Sequence, residues 1–395
     1  LSTPAPHLPD LAARLLGGTV MAASDEAFGE KENLLNPEPV NFVPGSFGPR
    51  GEIVDGWETR RRRTEGDDWA LIRLGTPGLI RSIDVDTTSF TGNHPVGCRV
   101  EACGVEGYPG PGDLLDADWQ RIVDDSPLAS DQSNVFAVHN DTRFTHVRLT
   151  VWPDGGVGRL RIHGEPVTDP RDLDLGTVDL ASPHYGAAIT DSSDGFYSPA
   201  RSLNRPDMAR TMGDGWETRR NRDRGPDWVL FQLATRARVH ALVIDTAYFR
   251  YNASAAVIVE SSDHHQDSEW VELLARTDLQ PDTRHVFRFT DAGAELPVAT
   301  HLRLHALPDG GLSRVRVVGS ATRDGRWQVA HRWWNTLPES QAVAVLRAAG
   351  VEVAAAAHLA AARPVLDPAD LDGDPAAGEV LHRILTGSAD ATEHR

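Results

Sequence analysis

The chain holds 395 residues, 40% of them hydrophobic, and carries a formal net charge of −18. That length suits two or three domains, each large enough to bury a core. The acidic balance argues against a nucleic-acid partner, which needs a basic face, and no stretch is apolar enough to predict a membrane-spanning helix.

In chain order, the first predicted element is a short helix over 30–35, opened by Ser24 or Asp25. Strand-length runs follow at 69–74, 80–85, 147–151 and 160–162, separated by Gly, Pro, Asp and Asn clusters. A polar stretch over 167–181 reads as a linker. The same rhythm then returns at 228–233, 239–244, 256–260, 302–304 and 315–318. Helical periodicity is scarce in both halves. The expected class is all-β, with two tandem jelly-roll β-sandwich domains over 18–166 and 182–320. From 321 to 395 the chain changes to a helical tail. Pro338 opens an Ala-rich pattern over 341–346 and 351–362. Its apolar stripe at Val343, Leu346 and Val351, with Trp333 and Trp334 before it, must dock on the parent sandwich or on a neighbouring subunit. Residues from about Leu366 are expected to be partly disordered.

The two halves share far more than rhythm. Asp55-Gly56-Trp57-Glu58-Thr59-Arg60-Arg61 recurs as Asp214-Gly215-Trp216-Glu217-Thr218-Arg219-Arg220. Arg63, Gly66, Asp68 and Trp69 match Arg222, Gly225, Asp227 and Trp228. Asp86-Thr87 with Phe90 and Asn93 matches Asp245-Thr246 with Phe249 and Asn252. Thr145-His146 matches Thr300-His301, Asp154-Gly155-Gly156 matches Asp309-Gly310-Gly311, and Arg159 matches Arg314. Ser24-Asp25 with Phe28 resembles Ser193-Asp194 with Tyr197. Fold alone does not hold charged residues in register, so each copy is expected to carry the same polar constellation.

On a strand, Glu58 and Arg60 share one face, as do Glu217 and Arg219. Glu is a competent general acid or base once its surroundings tune it, and Arg binds carboxylates bidentately. For one copy alone a salt-bridged surface hairpin is the preferred reading of the basic cluster around Arg60 to Arg63; its recurrence at Arg219 to Arg224 reverses that preference toward binding of a small anion. Asp86 and Thr87 end a strand at the rim. Thr91-Gly92-Asn93 reads as a tight turn that lets backbone approach a ligand. The second copy has Tyr251-Asn252 there, which favours the first copy as the more active one. His94, His139, His146 and His163 lack metal-ligand spacing, His146 and His301 read as core, and His264-His265 reads as solvated. Cys98 and Cys103 fit thiols of a reducing cytoplasm, with a disulfide between them left open by the sequence.

The doubled Asp-Gly-Trp-Glu-Thr-Arg-Arg, with Asp-Trp after it and Asp-Thr-x-x-Phe and Asn further on, resembles the allantoicase family over about 18–320. The resemblance implies hydrolysis of allantoate to ureidoglycolate and urea in purine catabolism. It implies jelly-roll domains assembled into homo-oligomers. The implied catalytic groups are Glu58, Asp68, Glu217 and Asp227. The implied substrate-binding groups are Arg60, Arg61, Asp86, Thr87, Asn93 and Arg159, with Arg219, Asp245, Asn252 and Arg314 in the second copy. No cofactor is required by that chemistry, and a divalent metal is left open. A sugar-binding jelly roll, or action on ureidoglycolate, are the alternatives. The tail segment Trp334-Asn335-Thr336-Leu337-Pro338 with Arg363-Pro364 resembles the opening helices of the ureidoimidazoline decarboxylases. It lacks their His-Pro-Arg segment, so a packing or assembly role is expected of it.

Overall fold

The computed structural model describes residues 8–222, 225–263, 269–289, 296–365 and 375–387. Arg224 of the second basic cluster and the His264-His265 pair lie outside the described residues. The chain divides into two compact units. The first holds the residues up to Val167 together with Trp333–Leu381, and the second holds Thr168–Arg332 and the residues from His382.

In the first unit the strands are β1 (Thr19–Ala23), β2 (Phe47–Gly48), β3 (Gly51–Glu52), β4 (Trp57–Glu58), β5 (Asp68–Asp86), β6 (Gly97–Cys103), β7 (Gln120–Pro127), β8 (Ser133–Ala137), β9 (Arg143–Trp152), β10 (Gly156–Val157) and β11 (Arg159–Pro166). β5 is the spine. Residues 68–73 pair with β1 and β9, and residues 78–86 pair with β11 and β8. β6 and β7 extend the β9 side. All these pairings are antiparallel, and the register slips between Arg73 and Gly78. The sequence suggests two strands here because Gly75-Thr76-Pro77-Gly78 looks like a turn. It is a bulge within one strand. Both glycines are needed. A Cβ on Gly75 would lie 2.6 Å from the Leu16 carbonyl carbon, and one on Gly78 would lie 2.3 Å from Glu165 O. Ile72, Ile80, Val85, Phe144, Val147 and Leu160 fill the core, and Trp57 is buried with them.

The second unit repeats the plan with β12 (Val178–Asp179), β13 (Ala188–Ser192), β14 (Trp216–Glu217), β15 (Asp227–Asp245), β16 (Ala256–Ser262), β17 (Val271–Asp278), β18 (Arg284–Arg288), β19 (Val298–Leu307), β20 (Gly311–Leu312) and β21 (Arg314–Ala321). β15 is the spine, paired with β13, β19, β18 and β21. The architecture is two antiparallel β-sandwiches of jelly-roll type. The stretch between the repeats is more ordered than a linker. Helix α1 (Pro170–Leu173) is capped by Asp169, β12 pairs with β21, and Leu180 is buried in the second core. At the other end, Leu11 and Ala12 already belong to the first core. The predicted helix over 30–35 is a 3-10 turn, Lys31–Leu35.

The tail forms α2 (Arg323–Thr336), α3 (Glu339–Ala348), α4 (Val353–Ala361) and α5 (Pro375–Thr386). Two of these add to the sequence reading. α5 lies in the segment expected to be partly disordered; residues 366–374 and 388–395 lie outside the described residues. Trp333 and Trp334 sit at the end of α2, which the sequence pattern hid because its start depends on a tertiary cap. Thr322 Oγ1 lies 3.0 Å from Arg236 O and accepts Gly325 N–H at 3.1 Å. In the first unit, the start of α3 meets the parent sandwich. Leu346 and Val351 are buried. Pro338 lies against Gly104, and Gln341 donates to Glu106, which pairs with buried Arg143 at 2.5 Å. Trp333 and Trp334 are fully buried, and Arg363 donates to Trp334 O at 3.2 Å. Trp334→Ala is therefore expected to lose about 3–5 kcal/mol of stability, read by guanidinium denaturation. A loss near zero would mean that the tail is not part of the folded unit.

Candidate active site

Each repeated motif is anchored by its tryptophan. Trp57 is fully buried and its Nε1 donates to Asp25 O at 2.7 Å; Trp216 does the same to Asp194 O at 2.7 Å. The next residue on the strand faces the other way. Glu58 and Glu217 are accordingly half-buried at the rim. β4 pairs with β10, which sets Glu58 opposite Gly156, and β14 with β20 sets Glu217 opposite Gly311. Thr59 and Thr218, buried again, accept the Gly155 and Gly310 N–H groups at 3.0 and 2.8 Å.

The Asp154-Gly155-Gly156 turn receives the strap that leads from Phe90 to Val96. Gly156 N donates to Asn93 O at 2.8 Å. Gly155 has φ +139°, and a Cβ there would lie 2.5 Å from Asn93 O. Held this way, Asn93 Nδ2 donates to Glu58 Oε1 at 2.8 Å, and Asn252 Nδ2 donates to Glu217 Oε1 at 2.7 Å. The structure thus joins two pairs of residues that the sequence marks only separately. Burial pushes the Glu58 carboxyl above the ordinary glutamate value, the Asn93 bond opposes this, and the charge of Glu52 adds to it.

Arg60 shares a face with Glu58 but does not pair with it. Its N–H and Nε donate to Asp25 Oδ1 and Oδ2 at 2.7 and 2.6 Å. Burial raises the Asp25 carboxyl, but the N–H bonds from Arg60 and Ala27 and the Arg60 guanidinium outweigh it and hold the group below its usual range. Arg219 repeats the pairing with Asp194 at 2.8 Å. Arg61 and Arg220 are exposed and have no hydrogen-bond or ion-pair partner among the described residues.

The structure places several other sequence candidates in the framework instead of at an open site. Asp68 is 2% exposed, bonded to Ser24 Oγ at 2.9 Å and ion-paired with Arg62. Asp227 is also buried and bonded to Ser193 at 2.8 Å. Asp86 and Asp245 accept the N–H two residues on, each at 2.8 Å, as local turn locks. Thr87 is fully buried, with its Oγ1 2.6 Å from Ala129 O. Arg159 is 2% exposed, and its guanidinium serves Glu38 O, Asn33 O, Asp55 O, Gly158 O and the Asp55 carboxylate. Arg314 is held likewise by Asp207, Asp214 and Ser313. Neither guanidinium is open to a ligand. Gly92 needs no glycine, since its Cβ position is empty and its φ is not left-handed, and Tyr251 is fully exposed. The expected contrast between these two positions therefore has no structural basis.

Other features escaped the sequence reading. Asp25 and Asp194 were visible only as part of a weak repeat. The span from Asp25 to Trp57 is 32 residues against 22 from Asp194 to Trp216. The added length builds the β2–β3 hairpin, which exposes Phe47 and carries Glu52. His94 follows Asn93, and its Nδ1 is buried without a hydrogen-bond partner; Ala253 stands there in the second repeat. No group of three or more His, Cys, Asp or Glu is placed to hold a metal among the described residues. His146 is buried on β9, and burial pulls it down to about 4. Cys98 and Cys103 are free and buried, and burial pushes both thiols up to about 12.

Two jelly-roll repeats, each holding a rim carboxylate on a side-chain amide, define a duplicated β-sandwich with a polar site in each copy. The family described as Allantoicase repeat matches residues 9–167 and 178–322. A probable allantoicase of Streptomyces coelicolor is 47% identical over 336 residues, covering 82% of this chain and 88% of its own. One from Nocardia farcinica is 49% identical over 315 residues, covering 79% and 94%. The crystal structure of allantoicase from Saccharomyces cerevisiae is 33% identical with a TM-score of 0.67, covering 79% of this chain and 92% of that one. The chain belongs to the allantoicase family.

The framework role of Arg159 has a direct consequence. Arg159→Leu leaves the Asp55 carboxylate and five carbonyls, Pro39 O among them, without their donor and is expected to cost about 3 kcal/mol of stability. Thermal unfolding measures this. A folded, equally stable variant with a raised KM would instead make Arg159 a ligand.

Proposed function

We infer that this chain is a hydrolase that converts allantoate to ureidoglycolate and urea in the degradation of allantoin. Its family membership supports the reaction, and the Glu58–Asn93 pair is the observation that supports the site. Allantoate carries one carboxylate and two ureido groups on a single carbon. The exposed, unpartnered guanidinium of Arg61 suits the carboxylate. Asn93 gives one N–H to Glu58 and keeps its carbonyl oxygen for a ureido N–H.

Glu58, in its carboxylate form, takes a proton from the attacking water and returns it to the departing ureido nitrogen. One O–H and one C–N bond break, while one C–O and one N–H bond form, so the atoms and protons balance. The second repeat holds the same Glu217–Asn252 pair without His94 or the longer hairpin. The first repeat is therefore proposed to carry the larger share of turnover. We further propose action without an organic cofactor, a cytoplasmic homo-oligomer, and no nucleic-acid or membrane partner. The net charge of −18 supports the absence of a nucleic-acid partner, and the apolar Phe47 exposed on the hairpin supports assembly.

Urea release from allantoate tests the reading. Glu58→Gln is expected to fold and to lose about a hundredfold in turnover, the usual scale for one general acid–base group. Glu217→Gln is expected to lose less. Near-normal turnover in Glu58→Gln would remove it from the mechanism. Because the base must be ionised, kcat/KM should fall as pH drops through the Glu58 value. Burial places that acid limb above the ordinary glutamate range. We propose that no divalent ion takes part either: dialysis against EDTA is expected to leave turnover unchanged, and its loss with recovery on adding a divalent ion would overturn that part of the proposal.

A further inference from the structure

The strap that delivers the asparagine starts from a strained turn, and the strain is duplicated. Ser89 has φ 72° and Tyr248 has φ 69°. Left-handed backbone is uncommon for any residue but glycine, asparagine or aspartate, and costly for a bulky one. In both repeats a carboxylate from the turn before the next strand holds the conformation. Asp131 Oδ1 accepts Ser89 N–H at 2.7 Å, and Asp282 Oδ1 accepts Tyr248 N–H at 2.8 Å. Both aspartates are themselves left-handed, with φ 55° and 51°. Ser and Tyr share no side-chain chemistry. What repeats is the backbone conformation and the carboxylate that enforces it.

The consequence of the turn lies one residue on. Phe90 and Phe249 are buried, and their N–H groups return to Thr87 O and Thr246 O at 2.9 Å each. The Phe90 ring lies against Gly56 and Gly156, and the Phe249 ring against Gly215, so close that a Cβ on any of these glycines would clash. Three residues later, Asn93 and Asn252 meet Glu58 and Glu217. Strain of this kind persists only where the surroundings over-determine it, and it collects at functional sites.

We propose that Asp131 and Asp282 are positioning residues for the hydrolysis, each locking the left-handed turn that holds the strap asparagine on the rim glutamate. The proposal rests on Glu58 acting as the base. The charged or titratable residues on the elements beside Glu58 are Arg50 and Glu52 on the hairpin, Asp25, Glu26 and Glu30 on the segment that bridges to it at Gly29, Lys31 and Glu32 on the 3-10 turn that follows, Arg60 on its own chain, His94 on the strap and Asp154 in the glycine turn. Asp131 acts through none of them. It acts through Asn93, whose N–H stabilises the Glu58 carboxylate.

Asp131→Gly in the full chain is the test. Glycine takes φ 55° freely, so the variant removes the carboxylate while sparing the backbone. It is expected to lose on the order of tenfold or more in kcat and to shift the acid limb of kcat/KM to higher pH, because Glu58 loses its donor. Asn93→Ala should shift the limb the same way, and Asp131→Gly with Asn93→Ala should shift it no further. Asp131→Asn keeps the acceptor and should restore the wild-type limb. If Asp131→Gly fails to fold, pairing it with Ser89→Gly relieves the strain, and the same shift is expected. An unmoved limb in the Asp131 variants beside a moved one in Asn93→Ala overturns the positioning role. Retained turnover in Glu58→Gln is a different result, and it overturns the base assignment instead.

Discussion

A buried indole whose single N–H is satisfied sets the position of every group at the rim. Trp57 contributes large apolar area to the core, but its Nε1 would be unpaired there without the Asp25 carbonyl. Asp25 is therefore fixed by the core, and it is fully used. Its carbonyl takes Trp57, and its two carboxylate oxygens take the backbone N–H and the Nε of Arg60. The alternation of the strand does the rest. Trp57 and Thr59 point in, so Glu58 is left half-buried at the rim. Asp194 and Trp216 build the same corner at nearly the same distances.

The two repeats compare like variants of one design. Both keep the tryptophan–carbonyl bond, the glutamate–asparagine bond, the saturated buried arginine and the strained turn held by aspartate. They differ where Arg62 is replaced by Asn221. Arg62 neutralises buried Asp68, whereas Asp227 keeps only its serine donor, and its Oδ2 is buried without a hydrogen-bond partner. An under-satisfied buried carboxylate oxygen is destabilising, so this change lowers the margin of the second copy without touching the Glu217–Asn252 pair. The copies thus differ in the support of the motif, and at the rim in His94 and the hairpin, while the glutamate–asparagine bond is the same in both.

Much of this was legible in the sequence because polar residues in register expose a duplication, and because strands announce themselves by alternation. The sandwich class, the repeat and the Glu and Asn candidates all came from such signals. Burial of charge was not legible. Arg159 and Arg314 look like anion ligands in the sequence, and only their carbonyl partners from residues 33–55 and 207–214 show them to be struts. Those contacts are long-range and leave no periodic trace. The strained turn was hidden for a related reason. Thr88-Ser89 and Ala247-Tyr248 contain no glycine to mark left-handed backbone, and the aspartates that enforce it come from 42 and 34 residues away. α2 was missed because its cap is a tertiary contact with Arg236.

The arginine run shows how an acidic protein keeps a cationic rim. Arg60 and Arg62 have the parity of Glu58 and are tied to Asp25 and Asp68. Arg61 and Arg63 have the opposite parity, are exposed, and have no partner among the described residues. In the second copy Arg219 is tied to Asp194, while Arg220 and Arg222 are exposed and unpartnered in the same sense. Alternate residues of one basic cluster thus fall into two sets. One set is neutralised and holds the motif in shape, and the other keeps its charge in solvent. Against a net charge of −18, these exposed arginines are the cations of the motif that the described residues leave unpaired, and charges act most strongly within about a Debye length. What the basic cluster can offer an anion therefore depends on which arginines the fold leaves unpaired, and not on how many it contains.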